Sequence, residues 1–118
     1  MIRLKIISLL ILLFVTYECL GQTYIRKGSY VYSEIVYNFD KKTNYIRKGP
    51  TNFGNIVYYV DGNFIRIGSS KYGKIKYYID KHFIREGNSK QGKIIYYIDG
   101  NYIRKGSSKL GKIVFNMK

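Results

Sequence analysis

The 118-residue chain has no tryptophan, one cysteine, one histidine and one proline, and only 7 acidic residues. Each scarcity closes off a class of chemistry. A single His and a single Cys cannot supply the ligands of a transition-metal site or the paired groups of nucleophilic catalysis. The few carboxylates recur singly, as Asp40, Asp61, Asp80 and Asp99, between apolar runs where Asp serves turns, so paired-carboxylate chemistry is not the natural reading. No catalytic, metal-ligating or cofactor-binding residue is nominated, and the chain reads as non-enzymatic. No residue pattern names a substrate.

What is abundant is Lys, Arg, Ile and Tyr: 21 Lys+Arg give a formal charge of +14, and 14 residues are Tyr. The chain opens with Arg3 and Lys5, and Ile6 to Tyr17 then run apolar for twelve residues. That order is the order of a secretory signal, and twelve residues fall short of the roughly 20 that span a bilayer. Cys19 and Gly21 are the small residues before a cut at Gln22, which predicts a signal over 1–21 and a β-repeat domain over 22–118. Glu18, bulky and charged directly before Cys19, speaks against lipid attachment there. The expected location is extracytoplasmic, secreted or periplasmic, with no transmembrane anchor in the mature chain. Cleavage removes Arg3, Lys5, Glu18 and Cys19, leaving 19 basic and 6 acidic side chains, a charge of +13, and no disulfide to staple the fold.

From Thr23 onward the sequence is periodic. Arg26, Arg47, Arg66, Arg85 and Arg104 follow one another at 21, 19, 19 and 19 residues, each preceded by Tyr-Ile or Phe-Ile and followed two residues later by Gly. Each unit holds two short runs of Ile, Val, Tyr and Phe bounded by Gly, Ser, Asn and Asp, which is strand composition. Asp61-Gly62 and Asp99-Gly100 predict two-residue type I′ hairpin turns, which would set Ile98 opposite Asn101, Tyr97 opposite Tyr102, Tyr96 opposite Ile103 and Ile95 opposite Arg104. Alternation then puts Ile94, Tyr96, Ile98 and Ile103 on a core face, and Ile95, Tyr97, Tyr102 and Arg104 on a mixed, partly wet face.

One hairpin cannot bury such a face alone. The expected architecture is all-β, a closed ring of about five 19-residue hairpins, flower- or propeller-like. The strand at Tyr24–Gly28 would pair with that at Lys112–Met117 to remove the sheet edges. The alternative is an open β solenoid. The string Asp99-Gly100-Asn101-Tyr102-Ile103-Arg104-Lys105-Gly106-Ser107-Ser108 resembles the unit of the four-fold β flower proteins, and the resemblance extends over Thr23 to Lys118. It implies a fold, hairpins disposed like petals about an axis, and no activity. The Ile-Arg strands here number five rather than four.

Two constellations could carry function. Arg26, Arg47, Arg66, Arg85 and Arg104 share the mixed face with Tyr59, Tyr78 and Tyr97, either to present cation and aromatic groups to a polyanion or to tie the petals together. The Ser-Ser-Lys-x-Gly-Lys segments gather Lys71, Lys90 and Lys109, with Lys74, Lys93 and Lys112, on one rim, either as an anion-attracting edge or as solvated loops. His82 reads as a drifted turn residue. The expected function is a binding or adhesion module for anionic polysaccharide, lipid headgroups or nucleic acid. The alternative is a structural, self-assembling surface or matrix protein forming homo-oligomers.

Overall fold

A computed structural model describes residues 21–118; the signal expected over 1–21 lies, but for Gly21, outside the described residues. Ten antiparallel strands follow in order: β1 (Gln22–Lys27), β2 (Ile35–Asp40), β3 (Tyr45–Lys48), β4 (Ile56–Asp61), β5 (Phe64–Ile67), β6 (Ile75–Asp80), β7 (Phe83–Glu86), β8 (Ile94–Asp99), β9 (Tyr102–Lys105) and β10 (Ile113–Asn116). Every strand pairs with its sequence neighbours, and β1 pairs with β10, so the sheet closes on itself as expected. The open solenoid is thereby excluded. Four hairpins, β2–β3, β4–β5, β6–β7 and β8–β9, are joined by turns, and β10 with β1 makes a fifth without a covalent turn. Connections alternate between the two ends of the ring. One end carries the four turns and both termini of the ring, and the other carries five seven-residue loops, 28–34, 49–55, 68–74, 87–93 and 106–112.

The hairpin register departs from the type I′ expectation. Asp99 pairs with Tyr102, Ile98 with Ile103, Tyr97 with Arg104 and Tyr96 with Lys105, so the two turn residues are Gly100-Asn101, not Asp99-Gly100. Only the first turn residue has positive φ, Gly62 at 65°, Lys81 at 60° and Gly100 at 62°, which is the type II′ pattern. Asp stays in the strand because its carboxylate is used there, as shown below. The pairing shifts by two residues, so alternation survives and Tyr96, Ile98 and Ile103 keep the expected core face, whereas Ile94 pairs with Arg85 across the bulge described next and so lies on the mixed face, a correction to the sequence reading. At the last turn position the backbone carbonyls of Asn44, Asn63, His82 and Asn101 accept N–H bonds from the next unit at 2.7–2.8 Å. The carbonyl, not the side chain, does the work, which is why His82 fits.

Between hairpins each pairing contains a bulge. Ile65 pairs with Tyr77 and Arg66 with Ile75, leaving Lys76 extra; Val36, Val57, Ile95 and Val114 are its equivalents. Five equal bulges bend the sheet five times, which is how so small a sheet turns back on itself. Inside, Ile46, Ile79, Ile84, Ile98 and Met117 are buried. Nearer the loops, Tyr37, Tyr58, Tyr77, Tyr96 and Phe115 form a closed ring of five aromatics, each centroid 6.3–6.4 Å from the next at tilted or edge-on angles. Such pairs add about 0.5–1.5 kcal/mol each beyond area burial. With Ile25, Ile46, Ile65, Ile84 and Ile103 these rings line an axial cavity of about 100 Å3.

Candidate functional site

The five arginines act first as clips between units. Arg66 donates from Nη1 to the carbonyl of Gly73 and from Nε to Asp61, both at 2.9 Å. Arg85 bonds Gly92 and Asp80, and Arg104 bonds Gly111 and Asp99, in the same geometry. Arg26 and Arg47 donate from Nη1 to Ser33 and Gly54, but their buried Nε groups have no partner. Each guanidinium except that of Arg26 also lies over the ring two residues before it, at 5.4–5.8 Å. Tyr59, Tyr78 and Tyr97 pair directly across from Arg66, Arg85 and Arg104, not diagonally as the type I′ register implied. The geometry is therefore that of tied petals: the hydrogen-bonding edge of the guanidinium is turned onto the chain's own oxygens.

The lysines stand otherwise. Lys71, Lys90 and Lys109, and Lys74, Lys93 and Lys112, are all exposed on the loop end, in the three consecutive loops of β5–β6, β7–β8 and β9–β10. The loops of β1–β2 and β3–β4 contain no lysine, and the five loops together hold one acidic residue, Glu34. Asp40, Asp61, Asp80 and Asp99 all sit at the opposite end. The cationic rim is thus an arc over three of the five units. Among the described residues, no three His, Cys, Asp or Glu side chains gather as metal ligands.

These loops are held in place. In four of them a Thr or Ser hydroxyl, of Thr51, Ser70, Ser89 or Ser108, accepts the N–H two residues on at 3.1–3.2 Å. The following Gly54, Gly73, Gly92 or Gly111 closes the turn onto the carbonyl of the same Thr or Ser. A Cβ on any of these glycines would collide with the carbonyl oxygen of Lys48, Ile67, Glu86 or Lys105, so the repeated Gly is a close-approach requirement. The tip between them is apolar in four loops of five: Tyr32 is 78% exposed, Phe53 96%, Tyr72 86% and Leu110 94%, with Gln91 in the fifth.

Three residue sets escaped the sequence reading. The tips were visible as the variable residue of Ser-Ser-Lys-x-Gly, apolar in an otherwise polar loop. Asn38 and Asn116, both fully buried, take the slots of Tyr59, Tyr78 and Tyr97. Each amide donates to two loop carbonyls, Asn38 to Gly49 and Thr51, Asn116 to Gly28 and Tyr30, at 2.8–3.2 Å. The aromatic ring itself needs the closure to be recognised, and burial in it pushes Tyr77 up to about 12, with Tyr58, Tyr96 and Tyr37 adding to the shift. Tyr58 is raised for the same reasons, burial first.

A closed ring of β-hairpin petals, tied by Arg and carrying its variable chemistry on loops, defines a β flower domain. The chain matches the family described as 6-fold beta flower protein over residues 22–118 and belongs to that family. The resemblance read from the repeat is borne out, with the fold number of the family given as six, while the described residues close with five hairpins. No curated protein and no solved structure matches the chain.

Proposed function

We propose that this protein is an exported, non-catalytic module that binds anionic polymers or surfaces through its loop end. One observation carries the reading: the guanidinium groups are spent on the chain's own carbonyls and carboxylates, whereas six loop lysines form no salt bridge among the described residues and face solvent on one arc. Charge of one sign at one end attracts and orients an anionic partner, and equivalent sites at fixed spacing reward an extended ligand over a short one. The arginines support this site by holding the loops, with the ligand met by Lys71, Lys90 and Lys109 and their partners.

The test separates the two sets. With a nucleic acid as the polyanion, log affinity falls with log salt by about 0.7–0.9 per phosphate neutralised. Changing Lys71, Lys90 and Lys109 together to Gln should flatten the slope by about two units at unchanged melting temperature. Arg66→Gln should lower the melting temperature and leave the slope alone. Retention on polyanion columns that is weak and indifferent to the triple change overturns the proposal.

A further inference from the structure

The loop end presents more than charge. Large apolar side chains exposed to 78–96% do not stand at the tips of polar loops for the sake of folding, because none of them contributes to the core. Four such tips, Tyr32, Phe53, Tyr72 and Leu110, project from the same end as the lysines, in four of the five loops spaced around the ring axis. Phe53, Tyr72 and Leu110 are fixed there by the hydroxyl turns and Arg clips already described, so little ordering is lost when they meet a partner. A single-stranded nucleic acid offers charge, and base faces on which Tyr and Phe stack, but no apolar phase for Leu110. The surface that offers both is a bilayer with anionic headgroups: aromatic and aliphatic tips enter the interface while lysines remain at headgroup depth.

We propose that the loop end is a membrane-docking face, in which Phe53, Tyr72, Leu110 and Tyr32 insert among the lipid headgroups of an anionic bilayer and the lysine arc pairs with their phosphates. This rests on the reading of the rim as an anion-facing surface and names the partner. The ring axis then stands steeply to the bilayer, because tips occur in loops on both sides of the axis. The docking is tilted toward the lysine arc, since the β1–β2 loop brings Glu34 and no lysine. The turn end, with its four aspartates, faces away.

The chain contains no tryptophan, so Phe53→Trp and Leu110→Trp each install a single reporter. The protein used is residues 21–118, which close every strand edge among themselves. It is mixed with vesicles of phosphatidylcholine alone or with about a third phosphatidylglycerol. The expected result is a blue shift of both reporters and quenching by bromine on the upper acyl chain, with anionic vesicles only. Phe53→Ser with Leu110→Ser should weaken vesicle binding by about tenfold or more, since burying one such side chain already amounts to about tenfold. Lys71, Lys90 and Lys109 changed to Gln should weaken it further, by about a hundredfold at about fivefold per lysine. Vesicle binding that needs the lysines but ignores the Ser changes, with no blue shift, overturns insertion and leaves the anionic-surface reading standing. Tight binding to DNA or an anionic polysaccharide with none to vesicles does the same. A concentration-dependent rise in mass abolished by the Ser changes gives the tips to a second copy and overturns the bilayer. Binding to none of these probes removes both proposals.

Discussion

Two regions of the ring solve the same problem in different ways. In the three regular units, β4 to β9, a Tyr faces Arg across the hairpin, and a strand-end Asp takes the Arg Nε: Asp61 with Arg66, Asp80 with Arg85, Asp99 with Arg104. At the seam, β10, β1, β2 and β3, the Tyr becomes Asn116 or Asn38, and Arg26 and Arg47 have no carboxylate on Nε. The regular units are held by a covalent turn and four paired residues per hairpin, whereas β1 and β10 pair at only Arg26–Asn116 and Lys27–Phe115. A buried amide reaching two loop carbonyls supplies at the seam what the missing turn cannot. Asn116 bonds residues 86 and 88 positions away, tying the last strand to the first loop. The lesson is that repeat identity is relaxed at the unclosed pair and in the hairpin next to it, and that the substitution found at both is a hydrogen-bonding one.

The largest break is therefore Asn116→Ala. It strips one bond each from the carbonyls of Gly28 and Tyr30 in a fully buried place, at about 2 kcal/mol or more. For a domain of this size that is a fall of roughly 10 °C in melting temperature, measurable by calorimetry. Asn38→Ala should cost less, because β2 and β3 remain joined by residues 41–44 and because the Oδ1 of Asn38 is itself unpaired and buried. Equal losses at both positions would mean that the seam is not special.

Asp99→Ala tests the regular side. It leaves Arg104 Nε as Arg26 and Arg47 already are, with the Nη1 bond to Gly111 intact. The pair is part-exposed, so the expected loss is about 1 kcal/mol or less, read as a shift in the denaturant midpoint. A loss as large as that at Asn116 would overturn the view that the carboxylate only refines a clip the loop carbonyl makes.

What the sequence showed and withheld follows the same division. The count of units, the closure through Tyr24–Gly28 and Lys112–Met117 and most of the core face were legible, because period and alternation are global, but Ile56, Ile75 and Ile94 were misplaced because a bulge resets the alternation and sets them opposite Arg. The register was not, because Asp-Gly carries two meanings: a type I′ turn pair, or a strand-end carboxylate followed by the one glycine a type II′ turn needs. Only the Arg–Asp bond decides between them. The bulges left no mark, since Val36, Val57, Ile95 and Val114 are ordinary strand residues and Lys76 breaks even that likeness. The replacement of Tyr-Tyr by Tyr37-Asn38 and Phe115-Asn116 was in plain view, yet its meaning depends on carbonyls that only the closed ring brings near. The lysine rim was legible as composition and spacing, while the tips beside it became notable only once their exposure was known.

A gain, not a loss, is expected within the regular units at Lys81→Gly. Lys81 holds φ at 60° where Gly62 and Gly100 stand in the sister turns. A side chain there carries the left-handed penalty of about 1–2 kcal/mol, from which the greater freedom of glycine in the unfolded chain subtracts up to about 1. A rise of about 0.5–1 kcal/mol should appear as slower unfolding and a later midpoint. No change would mean that this turn has relaxed around Lys.

The smallest effect at neutral pH, and the sharpest in form, concerns the aromatic ring that both regions share. Tyr77 is pushed up to about 12, by burial first and by neighbouring tyrosines next, whereas an unfolded tyrosine titrates near 10. The folded state therefore holds the proton more tightly. The stability this gives is fully present below pH 10, and it is lost as the pH rises from 10 to about 12, because the unfolded chain ionises first and draws the equilibrium with it. Tyr58, raised in the same direction, adds to the loss. The seam contributes Phe115 to this ring and so carries no titrating group at that place. Tyr77→Phe copies the seam into a regular unit: stability at pH 7 should change little, and the fall between pH 10 and 12 should become shallower. The check is a series of denaturation midpoints across that window for both proteins. Parallel curves would show that the ring's hydroxyls ionise as freely as in water and that the alkaline limit of the fold is set elsewhere.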